Sequence, residues 1–200
     1  MSVLSDDKDE YLSESFVSLD LCYEEISDLE FEDCTFTECD WSDAVLSRCR
    51  FIECHFIKCN LSNANVAHSK FLDVVFEECK IIGLDWTKCD WPNLSLPSPI
   101  RFNRCIMNDS SFYGLSLSEL VLDECKCHDA DFREADVSEG NFSGTDLANS
   151  VFGRTNLSGV DFTEATHYTI DIYENNLKGA KFCRYEAVRL LEGLDIELVD

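Results

Sequence analysis

The chain has 200 residues, with 40 Asp plus Glu against 16 Lys plus Arg, and a formal net charge of −24. Such a balance repels phosphate backbones and anionic lipid surfaces, which excludes direct nucleic-acid binding and a membrane-surface role. Yet 45% of the residues are hydrophobic and 14 are Phe, more than an acidic solvating tail carries, so there is a core to bury.

The first segment, residues 1–13, is a polar lead. Met1 to Tyr11 carry acids where a secretory signal needs a basic start and an apolar run, and no later stretch has transmembrane length. The expectation is a cytoplasmic protein whose twelve cysteines are reduced.

From residue 16 the sequence has a period of five. Every fifth position from Phe16 to Leu96 is apolar, and this class holds Phe16, Phe31, Phe36, Phe51, Phe56, Phe71 and Phe76 together with Trp41, Trp86 and Trp91. A one-residue phase slip near 94–102, around Pro97 and Pro99, moves the class to Phe102. It then runs to Phe182, with His167 as the one polar centre. Neither a helix of period 3.6 nor a strand of period 2 keeps every fifth residue on one face, so the chain turns a corner in each pentad. Two residues before each centre stands a second, small or apolar side chain, and the other three positions are mostly polar.

The segments Asp131–Val137 (DFREADV) and Thr145–Phe152 (TDLANSVF) carry this pattern in its clearest form. They resemble the A(D/N)LXX signature of pentapeptide-repeat proteins. The resemblance implies an all-β solenoid, a right-handed quadrilateral β-helix with one pentad per side and four per coil, over residues 14–184. Aromatic centres twenty residues apart, such as Phe16, Phe36, Phe56 and Phe76, agree with four pentads per coil.

Nine cysteines (Cys34, Cys39, Cys49, Cys54, Cys59, Cys79, Cys89, Cys105, Cys125) take the small inward position and read as compact apolar fillers. Spacings of five put neighbouring cysteines on different sides of a coil and no CxxC pair exists, which argues against zinc. Stacked pairs such as Cys34 with Cys54 come within disulfide reach but are expected reduced. His55, His68 and His128 fall at outward positions, and His167 takes a core slot where the repeat degrades, in Thr166–Ile170. A convex rod offers no cleft to tune a carboxylate, and phosphate-binding glycine loops are absent. No enzyme, cofactor or metal is expected.

The last segment, residues 185–200, reads as a cap with a short helix over 185–193 and an alternating strand at Ile196 and Leu198. Capping the core alone explains it. Within it Gly193–Leu198 (GLDIEL) resembles the dimerising tail of the Qnr-type branch of the family, and these residues, with Phe31–Phe36 and Asn108–Leu115, are similar to its albicidin self-resistance members in particular. That resemblance implies a homodimer through Val188, Leu190, Leu191, Leu194, Ile196 and Leu198. Many Gram-negative members of that branch carry two loops that interrupt the pentads, whereas the interruptions here are the Pro97/Pro99 slip and Thr166–Ile170.

About 8.5 coils at the strand spacing give a rod on the order of 40 Å, or about one negative charge per 1.7 Å, as in duplex DNA. The charge is blocked: −14 over residues 1–45, +2 over 46–104 and −12 over 105–200. Candidate partner contacts are the outward acids Glu119, Asp123, Glu124, Asp129, Asp131, Glu134, Asp136, Glu139, Asp146, Asp161 and Glu164. The resemblance implies that they engage DNA gyrase, and in some relatives topoisomerase IV, in place of DNA and relieve poisoning by quinolones or albicidin. The other reading is a structural scaffold with an unrelated protein partner, since the fold does not fix the function.

Overall fold

A chain that turns every five residues buries its centres only if successive turns stack. The computed structural model describes residues 4, 8–91, 98–194 and 196, and it is a four-sided all-β solenoid whose coils pair in parallel. Its first three strands are β1 (Glu10–Leu12), β2 (Ser15–Val17) and β3 (Glu25–Ser27). Each places one buried residue, Tyr11, Phe16 or Ile26, between two exposed ones.

The first side stacks Tyr11, Phe31, Phe51 and Phe71, then Leu117, Val137, Leu157 and Leu177. On the second side, Phe16, Phe36, Phe56, Phe76, Phe102 and Leu122 pair in register, followed by Phe142, Phe162 and Phe182. Leu21, Trp41, Leu61, Ile81, Met107, Cys127 and Leu147 line the third side, and Ile26, Leu46, Val66, Trp86, Phe112, Phe132 and Phe152 the fourth. Most rings one coil apart stack face to face, as Phe36 on Phe56 at 4.7 Å, Phe56 on Phe76 at 4.9 Å and Phe112 on Phe132 at 5.0 Å, whereas Phe142 meets Phe162 edge to face. Fully burying such a side chain contributes roughly 1.5–3 kcal/mol.

The corners have a backbone cost. Among the described residues twenty-five non-glycine positions have positive φ, nearly all two places after a centre, as at Asp33, Glu53 and Glu139. The left-handed region costs an L-residue about 1–2 kcal/mol, so ladder bonds and core packing must over-determine each corner. Because the corner turns the chain there, the side chain at that position projects outward.

The cysteines do more than fill space. After Phe16, Phe36, Phe56, Phe76 and Phe102 the corner is wide, without the bond that closes tighter corners, such as Ala44 N–H to Trp41 C=O at 3.2 Å. Instead Cys39, Cys59, Cys79, Cys105 and Cys125 form one column, and each Sγ–H donates to the centre's carbonyl on the coil before it at 3.3–3.6 Å. The sulfurs of Cys79 and Cys125 also accept from the N–H of Cys59 and Cys105, at 3.3 and 3.4 Å. Thr145 extends the column, its Oγ1 2.6 Å from Leu122 C=O. There the corner tightens, with Thr145 N–H bonded to Phe142 C=O, and the column passes to Ala165. All twelve cysteines are free thiols, and burial pushes Cys54 up to about 12, keeping it a protonated donor at neutral pH. The cysteines are thus fillers that also bond: the column adds a second bond to each ladder carbonyl and gives the N–H groups of Cys59 and Cys105 their acceptors.

Two irregularities differ from expectation. The phase slip is larger than one residue: Val74 pairs with Ile100, an offset of 26 where other coils have 20, as between His55 and Val75. Six additional residues therefore enter one coil between Asp90 and Ser98, a full pentad plus one, and modulo five this reads as a slip of one. Leu94, Leu96 and Pro97 lie outside the described residues. His167 does not take the core slot. It has φ +56° and is exposed, while Tyr168 is fully buried in its place. An imidazole there would lose its hydration, whereas the neighbouring phenol supplies a larger apolar body.

At the C-terminal end a 3₁₀ helix, Glu186–Leu194, stands where the sequence predicts a short helix, and Leu190 packs on the core. Leu198, and with it the alternating strand, falls outside the described residues.

Candidate acidic docking surface

The solenoid has four corner columns, and their side chains are set by residues twenty, or once 26, apart. The column after the first side holds Asp33, Glu53 and Asp73, then Glu119 and Glu139, all exposed. None makes an ion pair among the described residues; Asp33 accepts a hydrogen bond from Ser13 Oγ at 2.8 Å. Two of the other corners carry ion pairs, while Asp43, Asp109 and Asp129 after the third side and Glu38, Glu124 and Glu164 after the second make none among the described residues. After the second side, Lys58 lies 3.8 Å from Glu78, and Arg104 contacts Glu77 and Glu78. After the fourth side, Arg48 pairs with Asp28 through two bonds of 2.7 Å, and Arg154 with Glu134.

The eleven acids singled out in the sequence are spread over all four sides rather than gathered on one face. Glu119 and Glu139 stack on the corner just described, with Asp136 one step away on the first side. Asp123, Glu124, Asp161 and Glu164 belong to the second side and its corner, Asp129 and Asp146 to the third, Asp131 and Glu134 to the fourth.

Several of the eleven are engaged. Arg133 grips Asp131 at 2.9 and 2.7 Å and holds its carboxyl below the usual range, and Arg154, with Tyr113, does the same for Glu134. At Asp146 burial would raise the pKa, but hydrogen bonds with His128 at 2.8 Å and His167 at 2.9 Å outweigh it and hold the group low. Asp161 is lowered by Thr163 and by Lys181, which lies 3.3 Å away. For Asp136, burial is likewise outweighed, by Ser138 and Asn156. Sequence reading missed Asp33, Glu53 and Asp73. A tally of acids modulo twenty would have grouped them with one another, but the 26-residue coil breaks that count before Glu119.

Of the expected dimer contacts, Val188 and Ile196 are exposed and apolar, Leu191 and Leu194 half-buried, and Leu190 turned onto the core. No helix among the described residues is long and apolar enough to cross a membrane.

A family model described as a pentapeptide repeat region matches residues 29–98 and 89–162. The chain belongs to the pentapeptide-repeat family. No curated protein matches it by sequence. Among solved structures, two trypsin-treated forms of QnrB1, a plasmid-mediated fluoroquinolone resistance protein, align with TM-scores of 0.63 and 0.55 at 20% identity. They cover 95% and 96% of this chain and 100% and 92% of theirs. Full-length QnrB1 aligns at 0.50 and 18% identity, over 94% of this chain and all of that one. At such identity the likeness establishes the pentapeptide-repeat β-helix and nothing about its partners.

Proposed function

We propose that this pentapeptide-repeat protein is a non-enzymatic DNA mimic that occupies the DNA-binding surface of a type II topoisomerase and protects it from poisons that trap cleaved DNA. DNA gyrase is the intended partner and topoisomerase IV a second one. The observation that carries the reading is the corner column Asp33, Glu53 and Asp73, then, past Pro99, Glu119 and Glu139, which makes no ion pair among the described residues. Carboxylates repeating at about the strand spacing present a linear negative potential to a basic saddle. The protein acts in the cytoplasm and does not itself bind nucleic acid, which its charge repels. Two copies join through the C-terminal segment by an isologous patch centred on Val188 and Ile196, which places the two acidic C-terminal blocks at the middle of a longer rod.

A gyrase supercoiling assay, titrated with the protein in the presence of a fluoroquinolone or albicidin, tests the function. Rescue of supercoiling is expected, and Glu119→Gln with Glu139→Gln should weaken both rescue and gyrase capture. Capture should also fall as salt rises from about 50 to about 300 mM. If neither the enzyme nor its poisoning responds, the scaffold reading stands instead. Val188→Asp should convert a dimeric mass in light scattering to a monomeric one.

A further inference from the structure

In the column of five thiols, soft ligands touch in series. Cys39, Cys59, Cys79, Cys105 and Cys125 are all buried, and each of the first four lies in hydrogen-bond contact with the sulfur one coil further on. No group of three or more ligating side chains among the described residues is set to hold a metal ion, so the tetrahedral set that zinc takes is not offered there. The column offers pairs instead. Coils stack at about 4.7–4.9 Å, and two metal–thiolate bonds of about 2.3 Å laid end to end span about 4.6 Å. A cation that takes two sulfurs in a line therefore fits between neighbouring coils.

Charge and softness select the cation. Two thiolates with one divalent cation are neutral together, whereas a monovalent cation would leave a negative charge in an apolar core. The backbone around the sulfurs suits thiolates as well. The N–H groups of Cys59 and Cys105 already point at the sulfurs of Cys79 and Cys125, at 3.3 and 3.4 Å, and a sulfur that becomes a thiolate accepts such bonds more strongly. The carbonyls of Phe36, Phe56 and Phe102, to which the thiols donate, stay in their strand ladders when those protons leave.

We infer that the cysteine column binds soft divalent cations that prefer two sulfurs in a line, mercuric ion being the type, each held between thiols of adjacent coils. Each cation replaces two S–H bonds by two metal–sulfur bonds, the two protons pass to water, and no electron changes hands. The site lies inside the rod and is independent of the topoisomerase reading. One thiol serves one cation, so five in a row hold two, and the number left after a deletion depends on its place. Without Cys59 or Cys105 the remaining runs hold one; without Cys39, Cys79 or Cys125 they still hold two.

The test uses the full chain with the half-buried thiols removed, Cys22→Ser and Cys183→Ser, as parent. It is equilibrated with mercuric chloride in denaturant below the unfolding transition, because loading waits on local opening of the coils. After a glutathione wash that strips cations held by single thiols, native mass spectrometry counts those retained. Cations at other thiols are common to every protein compared. Cys59→Ser and Cys105→Ser should each retain one cation fewer than the parent, and Cys39→Ser, Cys79→Ser and Cys125→Ser the same number. Serine suits the column, where Thr145 already donates through Oγ1, and circular dichroism checks each fold. X-ray absorption should find two sulfurs per cation. Equal loss in all five variants, three or four sulfurs per cation, or no retained cation would overturn the proposal.

Discussion

If the acidic corner exists for a partner, it should cost the free protein stability, and Glu53→Gln measures that cost. Glu53 stands one coil from Asp33 and one coil from Asp73 on the same exposed column, with no ion pair among the described residues. At about 4.8 Å in the dielectric of water each repulsion is about 0.9 kcal/mol, and screening at physiological salt roughly halves it. Neutralising Glu53 removes both, a gain of about 1 kcal/mol, or about 2–4 °C in Tm for a chain of this size. Thermal unfolding followed by circular dichroism at pH 7 reads it directly. The gain should grow in dilute buffer and vanish in about 1 M salt, where the Debye length is near 3 Å. Arg48→Gln supplies the opposite sign, since it strands Asp28 without its two-bond partner. The same Glu53→Gln protein should bind the topoisomerase less well. An unchanged or lowered Tm in dilute buffer would refute the uncompensated stack.

Phe56→Ala removes a ring stacked on Phe36 and Phe76, and should cost about 3–5 kcal/mol in denaturant unfolding; Phe56→Asp should unfold several coils together. Cys79→Ala leaves the N–H of Cys59 without its partner and removes a second bond to the carbonyl of Phe56, so it should cost about 1–3 kcal/mol, whereas Cys79→Ser recovers much of the loss. If Ala and Ser behave alike, the thiol is only a filler after all. Asp131 has a depressed pKa through Arg133, so its stabilisation is present above the unfolded value near 3.9 and is lost as pH falls through the folded one. Asp131→Asn should therefore melt below the parent at pH 7 and together with it near pH 2, as measured by a Tm series across that range.

The sequence by itself determined the architecture. A five-residue apolar period excludes helix and strand alike, and once the period is known the inward residues follow one by one, from Phe16 to Phe162. Its arithmetic failed where the chain departs from the period: modulo five, six additional residues look like one, and His167 looks like a core residue although Tyr168 displaces it. The role of the cysteine column was also hidden, because whether a corner is wide or tight is a backbone property, and the thiol's partner lies 23 residues upstream in most coils, as Cys59 to Phe36. The acidic surface was legible only as a total. The −24 gives a charge density, but which carboxylates remain free depends on which residues lie one coil away. Arg48, Arg104 and Arg154 pair with acids twenty or more residues distant, and the column from Asp33 to Glu139 has no such partner among the described residues. Local periodicity fixes what points inward, because burial repeats with the pentad. Pairing across coils fixes what the outside presents, because charge compensation is a contact between turns.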